Sequence, residues 1–172
     1  METTKIALVT GGSRGLGKNM ALALAKKGND VIITYNSNLE EAKAVIAEVE
    51  SLGQKAAPLQ LNVGDVKTFN KFSAELNNIL TEKWNRQTFD FLINNAGIGI
   101  NTPFANTTEE QFDLLTNIHF KGVYFLTQKL LGLIADGSRI INVSTGLTRF
   151  SLPGYSAYAA LKGAIEVLTK YL

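Results

Sequence analysis

Two groups of residues in this sequence carry chemistry. Tyr158 and Lys162 stand one helical turn apart, and because positions i and i+4 share a helix face, a phenol and an ammonium would lie side by side. A phenol in water ionises near pH 10, so a neighbouring ammonium, which favours the phenolate, equips such a ring to exchange a proton near neutrality. At the other end of the chain, Thr10-Gly11-Gly12-Ser13-Arg14-Gly15-Leu16-Gly17 follows a short apolar run, Lys5 to Val9. The next apolar residues, Leu16, Met20, Ala23 and Leu24, recur at helical spacing. A glycine-rich turn from strand to helix brings the backbone close to a ligand with no Cβ in the way and aims free N–H groups at it. The matching ligand is a dinucleotide pyrophosphate.

Such a loop and such a helix need a scaffold, and strands alternating with helices supply one. Lys5 to Val9 is too short and too uniformly apolar for a helix and reads as a buried parallel strand. Lys26-Lys27-Gly28 closes the first helix with cations and a glycine. A second strand runs from Asp30 to Tyr35, a helix carries Ala42, Val45, Ile46 and Val49 and stops at Gly53, and Lys55 to Leu61 is the third strand. Phe69, Phe72, Leu76 and Ile79 mark the core face of a third helix that reaches about Trp84. Asp90 to Ile93 is the fourth strand and Gly137 to Val143 the fifth. Between them, Thr107 or Thr108 caps a helix with Glu110 or Gln111 three residues on. Phe112, Leu115, His119, Gly122 and Leu126 form its apolar stripe. His119 is the only histidine, so it reads as a satisfied core or interface side chain and not as a metal ligand.

The second strand ends on Thr34, Tyr35, Asn36 and Ser37, with no acid to hold an adenosine ribose 2′-OH; the nearest, Glu40, falls in the next helix. With Arg14 in the glycine loop, this points to a 2′-phosphate held by Arg14, Asn36 and Ser37, hence to NADP(H) in preference to NAD(H).

The 172 residues suffice for one domain, 1–172, with a substantial core. Hydrophobic residues make up 45% and charged ones 19%, which excludes a disordered chain. A net charge of +2 without a basic run argues against nucleic acid as the partner. There is no cysteine, hence no thiol chemistry, and no apolar stretch is long enough to span a bilayer. A first strand at about residue 5 leaves no room for a signal peptide, so a cytoplasmic home is expected.

The pattern T-G-x-x-x-G-x-G, the Asn94-Asn95-Ala96-Gly97 run after the fourth strand, and Tyr158-x-x-x-Lys162, in that order, resemble the short-chain dehydrogenase/reductase family from Lys5 to Leu172. The glycine loop and phosphate-binding residues look most like 3-oxoacyl-carrier-protein reductases. The resemblance implies a Rossmann-type α/β fold: a doubly wound parallel sheet of strand order 3-2-1-4-5 between two helix layers, truncated before the family's sixth and seventh strands. It implies an oxidoreductase that moves a hydride between a nicotinamide and a small-molecule carbonyl or secondary alcohol. Gly11, Gly12, Ser13, Arg14, Gly15, Leu16, Gly17, Asn36, Ser37, Asn62, Val63, Asn95, Ala96, Gly97, Tyr158 and Lys162 would hold the cofactor, with Asn62-Val63 against the adenine. Tyr158 would be the general acid and base, Lys162 its electrostatic partner, and Asn117 the helix-bending residue whose carbonyl holds a relay water. The family's substrate-binding serine stands thirteen residues before its tyrosine, where this chain has Thr145, with Ser144 as the alternative. Homodimers or homotetramers through the last two long helices are also implied. The rival expectation, from the shortened fold and the Thr for Ser, is a nucleotide-binding or interaction module without turnover. Substrate identity is not legible, because it resides in the variable loops Ile98 to Thr107 and Leu147 to Ser156 and in the missing part.

Overall fold

The computed structural model describes residues 4–172. Five parallel strands form one sheet in the order β3-β2-β1-β4-β5, the arrangement that the sequence resemblance implied. They are β1 (Ile6–Val9), β2 (Asp30–Tyr35), β3 (Ala56–Gln60), β4 (Phe89–Asn94) and β5 (Ile134–Asn142). The helices are α1 (Gly15–Lys26), α2 (Leu39–Ser51), α3 (Phe69–Trp84), α4 (Glu109–Thr116), α5 (Gly122–Leu130) and α6 (Ser156–Thr169).

Side chains alternate across a strand, so β1 feeds two cores. Ile6 and Leu8 join Phe69, Phe72, Leu76 and Leu80 of α3 and Leu126 and Leu130 of α5. Ala7 and Val9 join Ala21 and Ala25 of α1 and Ala42, Val45 and Val49 of α2. In α1 the stripe against the sheet is Gly17, Ala21 and Ala25, one position beyond the larger residues that the periodicity singled out; Leu16 is 60% exposed. Small residues face the strands because α1 must lie close enough for its first turn to meet the ends of β1 and β4.

Two further departures bear on the site. β5 starts three residues before Gly137, and its register with β4 shifts between Phe89 and Phe91, with Gly137 at φ +75°. The stripe of α4 and α5 holds from Leu115 onward, but Phe112 is exposed, because the start of α4 packs beside α6 and not on the sheet. Between α4 and α5 the helix widens into a π turn, Asn117–Lys121, in which the Gly122 N–H reaches back to the Asn117 carbonyl. No helix among the described residues is long and apolar enough to cross a membrane.

Candidate active site

The glycine loop is pinned from three sides. The Thr10 hydroxyl donates to the Ile93 carbonyl (3.3 Å) and accepts the N–H groups of Asn95 (2.9 Å) and Ala96 (3.0 Å). The Asn95 amide donates to the carbonyls of Thr10 (2.9 Å) and Gly11 (3.3 Å), while Thr34 Oγ1 accepts the Gly11 N–H at 3.1 Å. Gly11 has φ +64°, and a Cβ there would lie 2.9 Å from Ala96 Cα, so loop and β4 end meet only through glycine.

Beside this junction opens a crevice of about 560 Å³ at the carboxyl ends of the strands. Of the residues expected to hold a dinucleotide, it brings together Gly11, Ser13, Arg14, Gly15, Leu16, Gly17, Asn36, Ser37, Asn62, Val63, Asn95, Ala96 and Gly97. Thr34, Asn38, Glu41, Leu61, Ile98 and Ile118 also line it; they lie within one to four positions of the expected residues, where a pattern of residue types gives no signal. Gly12 departs from expectation. It turns away from the crevice and backs onto β2, where a Cβ would lie 2.6 Å from Ile33 Cβ, and its N–H bonds the Thr34 carbonyl at 2.9 Å. Its role is close packing of the loop on the sheet.

Helix α1 enters the crevice with no side-chain cap and no acidic residue in its first turn. By contrast, α2 is capped by Asn38 and begins with Glu40 and Glu41, and α4 has a full capping box of Thr108 and Gln111. The first N–H groups of α1 are thus left for an anion. Arg14, exposed at the mouth, has no carboxylate within ion-pair distance among the described residues. A bare helix end, a loop that only glycine can form and a nearby unpaired guanidinium fit a phosphorylated dinucleotide. At the adenine end, Asn62 Oδ1 already accepts the Gly64 N–H at 3.0 Å.

Asn94 is structural: its amide ties Thr127 of α5 (3.1 Å) to Asn142 of β5 (2.8 Å). That strand leads to the second group of expected residues. The Ser144 hydroxyl donates to Glu166 Oε1 at 2.6 Å, so its proton is taken. Hydrogen bonds from Ser144 and Thr148 hold the Glu166 carboxyl below its usual range. Thr145 Oγ1 only accepts, from the Leu147 N–H at 3.4 Å, and keeps its own proton to give. On α6, Lys162 is 5% exposed, donates from Nζ to the Val143 carbonyl at 2.7 Å, and lies 5.9 Å from the centre of the half-buried Tyr158 ring. Burial pushes the Lys162 ammonium down from its ordinary value. Tyr158 and Lys162 do not line the crevice itself; His119, whose Nε2 lies against the Ile98 carbonyl, stands between Ile98 and the Tyr158 ring.

Sequence reasoning missed His119. It is buried as expected, at 2% exposed, but the π turn sets its ring edge-on to Tyr158, with centroids 5.1 Å apart, and not into the apolar core. Nor is it satisfied: Nε2 lies 2.7 Å from the Ile98 carbonyl, while Nδ1 has no partner. Asn117, expected to bend this helix, opens the π turn, and its carbonyl accepts the Gly122 N–H. A lone histidine on a helical stripe carries no sign that the helix will widen beneath it.

Residues 5–172 match the family model for short chain dehydrogenases. A short-chain dehydrogenase/reductase of Pestalotiopsis microspora is 34% identical over 170 residues, which are 98% of this chain and 62% of that protein. A 3-oxoacyl-[acyl-carrier-protein] reductase of Staphylococcus aureus is 33% identical over 172 residues, 99% of this chain and 68% of its own length. Among solved structures, the promiscuous reductase LugOII, which catalyses keto-reduction in lugdunomycin biosynthesis, superposes with a TM-score of 0.93 at 36% identity. The match covers 98% of this chain and 74% of that one. The landomycin C-6 ketoreductase LanV, solved with NADP and rabelomycin, gives 0.92 at 34% identity, covering 96% and 68%. The chain thus spans about three fifths of the length of the first curated relatives it matches, from 60% to 62%.

Proposed function

The chain belongs to the short-chain dehydrogenase family, and on that premise we propose that it is an NADP(H)-dependent oxidoreductase interconverting a carbonyl and a secondary alcohol. The observation that carries the proposal is the Tyr158–Lys162 pair on one face of α6, its lysine buried and anchored at the end of β5, beside a crevice built for a phosphorylated dinucleotide. NADP bound to the similar ketoreductase LanV supports the cofactor preference.

The α1 N-terminus and the N–H groups of the glycine loop would hold the pyrophosphate, and Arg14, Asn36 and Ser37 the 2′-phosphate. Asn62 and Val63 would flank the adenine, and Asn95, Ala96 and Gly97 the ribose beyond it. When bound, the reduced nicotinamide supplies a hydride. Tyr158 gives its O–H proton to the carbonyl oxygen as that carbon gains hydrogen, and in the reverse direction takes the proton back. Lys162 stabilises the phenolate that Tyr158 becomes and would help to hold the nicotinamide ribose. Thr145 donates its free O–H to the substrate oxygen, a role Ser144 gives up to Glu166. The exposed apolar residues Tyr124, Leu131, Val167 and Tyr171 border a groove of about 690 Å³ between α5 and α6. A homo-oligomer through these helices and a cytoplasmic setting go with this reading.

Purified protein is titrated with NADPH and NADH by fluorescence, and NADPH oxidation is then followed against a panel of ketones. The expected outcome is NADPH binding and turnover, with Tyr158→Phe reducing kcat by about 10²- to 10⁴-fold and weakening NADPH binding far less. Arg14→Ala is expected to weaken NADPH by about tenfold or more and NADH hardly at all. Binding without turnover would support a non-catalytic module instead, and equal losses for both nucleotides would remove the 2′-phosphate assignment.

A further inference from the structure

Helix α6 carries Tyr158, Lys162 and Glu166 at successive four-residue steps, hence on one face, and the mechanism above uses only the first two. The last two both grip the segment that follows β5. Lys162 Nζ donates to the Val143 carbonyl at 2.7 Å. Glu166 Oε1 accepts the Ser144 hydroxyl at 2.6 Å and the Thr148 hydroxyl at 2.8 Å. Thr148 Oγ1 also lies 2.9 Å from the Thr145 carbonyl, but its single proton goes to the charged acceptor, the stronger of the two. Thr145, between these anchors, leads into the 3₁₀ turn Gly146–Thr148 and accepts the Leu147 N–H. Glu166 is exposed, and Arg149 and Lys170 are near enough to favour its charge, yet it makes no ion pair among the described residues. Its engaged oxygen is spent instead on two hydroxyls, one on each side of Thr145.

We infer that Glu166 is a positioning residue of this reaction: by holding Ser144 and Thr148 it docks the turn between them on α6, and so sets the Thr145 hydroxyl against the Tyr158 phenol of the same helix. The inference rests on the reductase reading above. In that reading the substrate oxygen meets two hydroxyls at once, that of Tyr158, which gives up its proton, and that of Thr145, which keeps its own. The two come from different segments of the chain, and a misplacement of about 1 Å can cost roughly 100-fold in rate. Anchoring the Thr145 segment at Lys162 and Glu166, one helical turn apart, makes a single helix the reference for both groups. Glu166 also decides which hydroxyl is free. With its proton on the carboxylate Ser144 has none to give, whereas Thr145 only accepts. The carboxylate itself exchanges no proton, and the hydrogen bonds from Ser144 and Thr148 are the first cause of its staying ionised below the usual 4.5.

The test is a double-variant cycle on the full chain, with NADPH and the ketone of the panel that it reduces fastest. Thr145→Ala is expected to lower kcat about 10²- to 10³-fold, the worth of an oxyanion donor. Glu166→Ala is expected to lower it about three- to tenfold, the worth of one hydrogen bond, with NADPH affinity unchanged because Glu166 does not line the crevice. Glu166→Gln, which keeps a carbonyl oxygen for both hydroxyls, should recover most of that loss. In the Thr145→Ala background, Glu166→Ala should cost nothing further: a residue that acts through Thr145 has nothing left to position, whereas the losses of independent residues multiply. Amide hydrogen exchange of Glu166→Ala gives a readout apart from turnover. The Leu147 and Arg149 N–H groups, bonded to Thr145 Oγ1 and to the Gly146 carbonyl, should exchange about threefold faster or more. The Val143 N–H, bonded to the Asn94 carbonyl, should be unchanged. Unaltered exchange at the turn, a fully active Thr145→Ala, or losses that multiply would overturn this inference alone. A wild type that binds NADPH but reduces no ketone would overturn the reductase reading and this role together.

Discussion

The two ends of the sheet treat polar groups in opposite ways. At the amino ends of the strands every buried carboxylate is engaged. Asp30 accepts the Lys55 N–H at 2.7 Å and the Trp84 indole N–H at 2.7 Å. Asp90 accepts the Ile6 N–H at 2.8 Å and pairs with Arg86 at 2.9 Å and Lys5 at 3.1 Å. At the carboxyl ends Thr10 and Asn95 pin the glycine loop, but other hydrogen-bonding capacity is withheld from the fold. The first turn of α1 is uncapped, Arg14 has no carboxylate partner among the described residues, Lys162 holds only a backbone carbonyl, and His119 Nδ1 holds nothing. Polar groups at one end stabilise the chain, and those at the other wait for what it binds. Substitutions at Asp30 and Asp90 should therefore change stability without changing binding, and one at Arg14 the reverse.

Asp90→Ala is the hardest test of that division. It strands the Ile6 N–H and removes the partner of Arg86, a loss of about 2–4 kcal/mol of unfolding free energy. The lower part of that range is expected, because Lys5 and Arg86 are partly open to solvent. Urea denaturation measures the loss, and NADPH affinity of the folded fraction should remain within about twofold of wild type. A variant that loses affinity as much as stability would show that the two ends are coupled through the sheet.

Acid gives the next largest effect, and here the site end is the one that costs stability. The His119 pKa is pushed from 6.5 down to about 4 in the folded protein, so between those values the unfolded chain binds the proton and the folded one does not. Stability is complete above about pH 6.5 and falls as pH drops towards 4, by at most ~3 kcal/mol. His119→Phe should flatten that window. At Asp90, burial pushes the carboxyl up, but Arg86, the Ile6 N–H and Lys5 outweigh it and hold the pKa below 3.8. Its contribution is therefore lost only at still lower pH, and the two windows separate in denaturation curves taken from pH 7 to pH 3. A slope between 6.5 and 4 that survives in His119→Phe would mean another group carries it.

The division also explains which parts of the molecule were legible in the sequence. The fold was, and so was the gathering of glycine loop and strand-ending amides at one crevice, because glycines, amides and alternating apolar runs act through local geometry: Asn95 bonds the Gly11 carbonyl and α1 starts without a side-chain cap. Gly12 was misread because two adjacent glycines look alike in sequence, yet one faces the crevice and the other faces Ile33. The α1 stripe was misread because apolar size, not closeness to the sheet, sets the visible periodicity. His119 was misread because its surroundings are made by a helix irregularity and by α6, some forty residues downstream. Nothing in the sequence distinguishes the Ser144 and Thr145 hydroxyls, whereas in the structure Ser144 donates to Glu166 and Thr145 accepts the Leu147 N–H.

The smallest effect sharpens the contrast between two helix starts within the crevice, α1 and α2. Glu41 lies in the first turn of α2, where a negative charge favours the helix by about 0.3–1 kcal/mol, yet it lines the same crevice as Arg14, Asn36 and Ser37. A 2′-phosphate held by those residues would feel Glu41 as a like charge across a solvent-exposed gap, a repulsion of about 0.2–1 kcal/mol. Glu41→Gln is therefore expected to tighten NADPH by less than about fivefold and to leave NADH unchanged, while lowering the thermal midpoint slightly as α2 loses its favourable charge. The gain in affinity should shrink as salt is raised from 50 to 500 mM, since screening removes interactions between exposed charges. NADPH titrations of wild type and variant at the two salt concentrations measure it. If NADH tightens as much as NADPH, the charge acts on the pyrophosphate, and the 2′-phosphate does not lie between the two helix starts.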